Sequence, residues 1–287
     1  MDIHSIPQLR DPVALLAFSG WSDAGEAATY AASHFLSVWA KDSSSDAPEL
    51  IAHVDSEDYF DYQVNRPLVR IDQGQVRELT WPDVRVMSIQ TPSLPFDLVV
   101  VQGAEPSMRW KQFSKELLDF FDDLEVSMIV TFGSMLSDSP HTRPISISAT
   151  GSHPDLSARL GVGVSTYQGP TGILGVLLDG AHKRGIDAVS LWAPLPHYAS
   201  SSPSPKATLA LINAFEDLMG VRIPEGELPD LTTRWEESMD MLAEQDSDVA
   251  SYIKELEENT DASSIPDATG DSIAREFERY LRRQKED

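Results

Sequence analysis

FSGWSDAGEAA, residues 18–28, follows directly on the apolar run Val13-Ala14-Leu15-Leu16-Ala17-Phe18. An unbroken apolar run of this length reads as a buried strand. Gly20 ends it. Asp23 then reads as a helix N-cap, and Glu26 stands three residues on, at the capping-box spacing. In that reading Asp23 accepts from the Glu26 backbone N–H and the Glu26 side chain reaches back. Ala27, Ala31, Phe35 and Val38 continue at helical spacing, and the small residues Ala24, Gly25, Ala27 and Ala28 let the helix lie close on a sheet.

The strand-turn-helix rhythm continues outward. Residues 41–48 form a polar loop. Extended runs follow at 50–55 and 68–72, the second turning at Gln73-Gly74 into 76–81 as a hairpin. Buried strands are expected at 84–89, 98–101 and 126–132, with an amphipathic helix over 110–124 between the last two. Further runs at 145–149, 162–167 and 188–192 are extended. Gly169-Pro170-Thr171-Gly172 opens a helix carrying Ile173, Leu174, Leu177, Leu178 and Ala181, and another helix runs from Lys206 to Met219. Strands alternating with helices predict an α/β fold with a mixed central sheet flanked by helices.

The C-terminal region differs. Glu236 to Asp287 carries 16 acids against 6 bases. Met239, Leu242, Val249, Ile253 and Leu256 give two helical segments, residues 261–271 read as a linker, and Ile273, Phe277, Tyr280 and Leu281 mark a last amphipathic helix. The division expected is an α/β domain over 1–222 and an acidic helical appendage over 223–287. The appendage packs on the main domain or on another subunit, or is a solvated tail.

Bulk composition narrows the function classes. With no cysteine, disulfides, thiolate metal sites and a cysteine nucleophile are excluded. Among 287 residues, 22 are Lys or Arg and 46 are Asp or Glu, a formal net charge of −24. That balance disfavours a phosphate-backbone footprint and an anionic membrane surface, so neither nucleic acid nor membrane is expected as a partner. No run reaches the roughly 18 apolar residues of a membrane span. The opening MDIHSIPQLRDP lacks the basic start and apolar core of a secretory signal, and a cytoplasmic location is expected.

The glycines fit no nucleotide motif. Residues 169–175 lack the Lys-Ser/Thr of a P-loop, and Gly161-Val162-Gly163 does not complete a dinucleotide fingerprint. Gly133-Ser134-Met135-Leu136-Ser137 lacks the second glycine of a nucleophile elbow. The seven histidines form no His-x-x-x-His pair, so no metal and no cofactor is expected. The candidates for a pocket or an interface are Trp21, Asp23, Glu105, Thr171, His197 and Lys206. His197 follows a strand end, where a histidine more often hydrogen-bonds a loop than serves as an acid/base. Lys206 stands in the first turn of a helix, the end disfavoured for a cation. It has a carboxylate partner, a functional duty, or simple solvation there. If the strand ends converge, Asp23, Glu105, Thr171, His197 and Lys206 line one crevice.

Gly20-Trp21-Ser22-Asp23-Ala24-Gly25, Glu105-Pro106, Gly169-Pro170-Thr171-Gly172-Ile173, Ser190-Leu191-Trp192-Ala193, Pro196-His197-Tyr198 and Ser202-Pro203-Ser204-Pro205-Lys206-Ala207 together resemble the PAC2 family, named for proteasome assembly chaperone 2. The resemblance spans about residues 10 to 222, and the acidic helical tail resembles the bacterial branch. It implies a fold akin to purine nucleoside phosphorylase and a homo-oligomer, with a trimer the expected state. Some bacterial members carry an ATP-grasp-like label, but no lysine and glycine-rich pattern supports it here. Relatives that dock on proteasome α-rings often use a hydrophobic-Tyr-x tail. This chain ends Arg283-Gln284-Lys285-Glu286-Asp287, so docking would use another surface.

Two function classes follow. One is a protein-binding scaffold or assembly chaperone, with a proteasome-related complex as its partner. The other is an enzyme or sensor for a nucleoside or nucleotide that uses the strand-end loops.

Overall fold

The computed structural model describes residues 1–40, 47–72, 76–200 and 203–264. In chain order its elements are β1 (Asp2–Ile3), β2 (Val13–Ser19), α1 (Ala27–Ala40), β3 (Glu49–Val54), α2 (Ser56–Tyr59), β4 (Leu68–Asp72), β5 (Val76–Thr80), β6 (Val84–Ile89), β7 (Leu98–Ala104) and α3 (Trp110–Asp123). They continue with β8 (Met128–Ser137), β9 (Ser148–Gly151), α4 (Pro154–Leu160), β10 (Gly163–Val164), α5 (Ile173–Arg184), β11 (Asp187–Pro196), α6 (Pro205–Met219), α7 (Leu228–Gln245) and α8 (Ser247–Ser264).

Nine strands form one mixed sheet in the order β1-β3-β6-β7-β2-β8-β11-β9-β10, and β4-β5 form a separate hairpin. At the centre β7, β2, β8 and β11 run parallel. β6 joins β7, and β9 joins β11, in the antiparallel sense. The expected α/β architecture with a mixed central sheet between helices is what the chain adopts.

β2 shows why the sheet is covered twice. Successive side chains of a strand point to opposite faces. Val13, Leu15 and Ala17 join a core cluster with residues of α1 and α6, including Phe35 and Phe215 with ring centroids 5.0 Å apart. Ala14, Leu16 and Phe18 join a second cluster with α3 and α5, where Phe18 meets Phe113 edge-on at 6.0 Å. Full burial of each Leu or Phe stabilises the fold by about 1.5–3 kcal/mol relative to exposure. A polar residue anywhere in 13–18 would therefore disrupt one core or the other.

Several boundaries differ from the sequence expectation. β8 runs past Gly133 to Ser137, and β11 pairs with it in register from Asp187↔Met128 to Pro196↔Ser137. Gly133 lies within the strand. A Cβ at that position would lie 2.7 Å from the Trp192 indole, so glycine lets the ring lie on the strand. The run 145–149 gives way to β9 at Ser148–Gly151, and 162–167 shrinks to Gly163–Val164. The short helix α4, capped by His153 through Leu156 N–H (3.2 Å), lies between them. Residues 41–46 of the expected polar loop, the turn at Gln73-Gly74 and the last amphipathic helix at 273–281 lie outside the described residues.

Candidate functional site

The four parallel central strands place their C-terminal ends on one edge of the sheet. The loops after Ser19, Ala104, Ser137 and Pro196 therefore gather there, together with the N-terminal ends of α1, α5 and α6. The six candidate residues all follow such strands or open such helices.

Asp23 is 7% exposed, and its carboxylate is engaged. Oδ1 accepts from Ala28 N–H (2.9 Å) and Thr29 N–H (3.2 Å), and Oδ2 accepts from the Thr29 hydroxyl (2.5 Å). The capping-box expectation is corrected here. Gly25 and Glu26 have φ of +58° and +50°, so the chain turns once as a 3₁₀ segment before α1 begins at Ala27. The Asp23 carboxylate thus reaches past Glu26 to the first turn of α1, and the Glu26 side chain does not close a box. Burial pushes the Asp23 carboxyl above its ordinary range, and the bonds from Thr29 and Ala28 oppose that shift without cancelling it. Asp23 is also bridged to Ser134 of β8: Ser134 N–H donates to the Ser22 carbonyl (2.8 Å) and its hydroxyl donates to the Ala24 carbonyl (2.8 Å).

Glu105 closes the N-terminus of α5 from across the edge. Its Oε1 accepts from Ile173 N–H at 2.8 Å, and its own N–H donates to the Ser19 carbonyl at 2.9 Å. Gly172, the residue before α5, has no side chain to do this. A Cβ there would meet Glu105 Oε1 at 2.9 Å and the Trp21 ring at 3.2 Å. Trp21, Glu105 and Gly172 are therefore packed together, and Trp21 still leaves 65% of its surface open. Thr171 is exposed, with its side chain over Gly175. Tyr167 on the same loop is also 65% exposed and donates its hydroxyl to the Pro170 carbonyl (2.8 Å).

Lys206 belongs to a second group. Its Nζ lies 2.6 Å from Glu236 Oε1 of α7 and donates to the His141 carbonyl at 2.5 Å. Of its three possible states, the one the chain adopts is the carboxylate partner. His141 is 2% exposed. Its Nδ1 faces the Tyr198 hydroxyl at 2.8 Å and its Nε2 faces Asp240 Oδ1 of α7 at 3.0 Å. Arg143 pairs with Glu257 (3.2 Å) and Asp261 (2.8 Å) of α8, and Tyr252 donates to Asp138 at 3.0 Å. The 138–143 loop is thus held by both α7 and α8. His197 is exposed, with Nε2 3.9 Å from Asp138.

The edge accordingly holds a Trp21–Glu105–Thr171 group around α5 and a Lys206–His141–Tyr198 group under the C-terminal helices. His141, Arg143 and Asp240 were not singled out in the sequence. A lone histidine in a polar loop carries no local signal until α7 and α8 fold back on it. A concave groove of about 510 Å³ lies between α1 and the start of α7, lined by Tyr30, His34, Trp39, Leu228 and Leu231, and none of the six candidates lines it. Among the described residues no group of three or more His, Asp or Glu could hold a metal ion, and no helix is long and apolar enough to cross a membrane.

Comparison with known proteins gives the chain a family context. The PAC2 family model matches residues 17–243. A crystal structure of a PAC2 family protein from Streptomyces avermitilis is 48% identical, covers 84% of this chain and 99% of its own, and superposes with a TM-score of 0.76. A proteasome-assembly chaperone homologue from Mycobacterium tuberculosis is 39% identical over the same shares, with a TM-score of 0.75. An archaeal proteasome activator from Pyrococcus furiosus is 19% identical, covers 84% of this chain and 96% of its own, and has a TM-score of 0.64; it shares the fold. No protein with a curated description matches.

Proposed function

The chain belongs to the PAC2 family, and from that premise we propose that it is a protein-binding assembly factor of the PAC2 type whose partner is a proteasome-related complex. The observation that carries this reading is the state of the strand-end edge. Its buried and half-buried charges, Asp23, Glu105 and Lys206, serve as caps and ties within the fold. Its aromatic side chains, Trp21 and Tyr167, stand open. Exposed aromatic rings beside ordered polar groups suit a protein interface. The description of the Mycobacterium tuberculosis relative as a proteasome-assembly chaperone homologue supports the choice of partner.

In this reading the domain over 1–222 provides the docking edge and the helical appendage over 223–287 braces it, in a homo-oligomer. The test is purification of the tagged full-length chain from its own host at low salt. Peptide sequencing of the eluate should identify a proteasome-type subunit, and its loss from a Trp21→Ala Tyr167→Ala variant that keeps its thermal stability would place contact at the edge. An eluate holding the bait alone, in repeated preparations, contradicts the reading.

A further inference from the structure

Trp21 and Glu105 meet at the point where Gly172 lacks a Cβ: Glu105 Oε1 lies 2.9 Å from that point and Trp21 Cε3 lies 3.2 Å from it. The two side chains present different chemistry to solvent. Glu105 Oε1 is committed to the Ile173 N–H. Its Oε2 accepts no hydrogen bond and meets no cation among the described residues. Trp21 sets Cε3 and Cζ3 of its benzenoid ring against Gly172 and remains largely exposed.

A half-buried carboxylate with one oxygen uncommitted, packed next to an open indole, is chemistry for a cation. The ring face attracts a guanidinium or ammonium through its quadrupole. The carboxylate accepts a charge-assisted hydrogen bond from the same group. A planar guanidinium uses both at once, stacking on the ring while an N–H reaches the oxygen, whereas an ammonium acts as a point charge. An anion is disfavoured, because Glu105 already supplies the negative charge that the α5 N-terminus attracts. The formal charge of −24 adds long-range attraction for a basic partner.

We propose that Trp21 and Glu105 seat an arginine side chain presented by a partner protein. The inference rests on the protein-binding reading above and specifies the chemistry of the partner's contact.

The test uses full-length protein labelled with 5-fluorotryptophan, the Trp21 resonance being assigned by its loss in Trp21→Phe. The probes are N-acetyl-arginine amide and its neutral isostere, N-acetyl-citrulline amide. The Trp21 resonance should move with the arginine probe and stay in place with the citrulline probe. Glu105→Gln keeps an oxygen for the Ile173 N–H but removes the charge, so it should weaken the arginine titration about tenfold while the other tryptophan resonances stay unmoved. A Trp21 resonance that ignores the arginine probe, or that answers both probes alike, overturns the slot. So does an unchanged titration in Glu105→Gln. An unresponsive Trp21 in protein that still retains its proteasome-type subunit overturns the slot alone. A responsive, charge-dependent Trp21 in protein that retains no subunit supports the slot chemistry and overturns the protein-binding reading.

Discussion

Lys206 Nζ sits 2.6 Å from Glu236 Oε1, which ties the first turn of α6 to the middle of α7 across 30 residues of chain. The lysine side chain is only 13% exposed, and it also donates to the His141 carbonyl. Lys206→Met preserves most of the side-chain volume and leaves both acceptors without their donor. It should lower stability by about 1–3 kcal/mol, the cost of orphaning half-buried polar groups. Hydrogen exchange should speed up in α7 and in the 138–143 loop and stay unchanged in α3. Unchanged exchange in α7 would show that the tie contributes nothing.

Asp23 gives a pH signature. Its carboxyl is raised by burial, so the native state binds that proton more readily than the unfolded state does. Between the ordinary value of 3.8 and the raised native one, stability therefore falls as pH rises. Asp23→Asn lacks this dependence. The stability of the native sequence relative to Asp23→Asn should grow as pH is lowered through that window and level off above it. Denaturant unfolding of both proteins across the acid range measures the difference, and a difference that shrinks on acidification would contradict the assignment.

Tyr198 should report the alkaline side. Burial pushes its hydroxyl up to about 12, whereas the unfolded phenol titrates near 10. Above pH 10 the unfolded state loses this proton first, so stability falls as pH rises toward about 12. Tyr198→Phe should flatten that slope. It also removes the acceptor of the His141 N–H at 2.7 Å, at a cost of about 1–2 kcal/mol near neutrality. Equal alkaline slopes in the two proteins would overturn the prediction.

Glu105 separates cap from charge. Glu105→Ala removes the acceptor of Ile173 N–H and should cost about 1 kcal/mol, with faster exchange in the first turn of α5. Glu105→Gln should retain most of that protection. Comparable loss in both variants would mean that the charge, rather than the hydrogen bond, stabilises the helix.

How far these relationships could be read from sequence depended on their range. The unbroken run 13–18 announced a buried strand, because both faces of β2 meet helices. The Trp21–Glu105–Gly172 grouping was legible as three motifs but not as a contact, since Glu105 and Ile173 are 68 residues apart. Asp23 was legible as a cap, but its partners were misread because two successive residues with positive φ delay α1 by one turn. The His141 cluster was not legible. Its partners come from the turn after β11, from α6 and from α7, and no one segment carries the pattern.

The most direct test of the protein-binding account is native mass spectrometry of the tagged full-length chain, purified gently from its own host. The account predicts a homo-oligomer carrying additional mass that peptide sequencing assigns to a proteasome-type subunit, with that mass lost from the Trp21→Ala Tyr167→Ala variant. A homo-oligomer whose only retained mass is a small adduct of nucleoside or nucleotide size would contradict it.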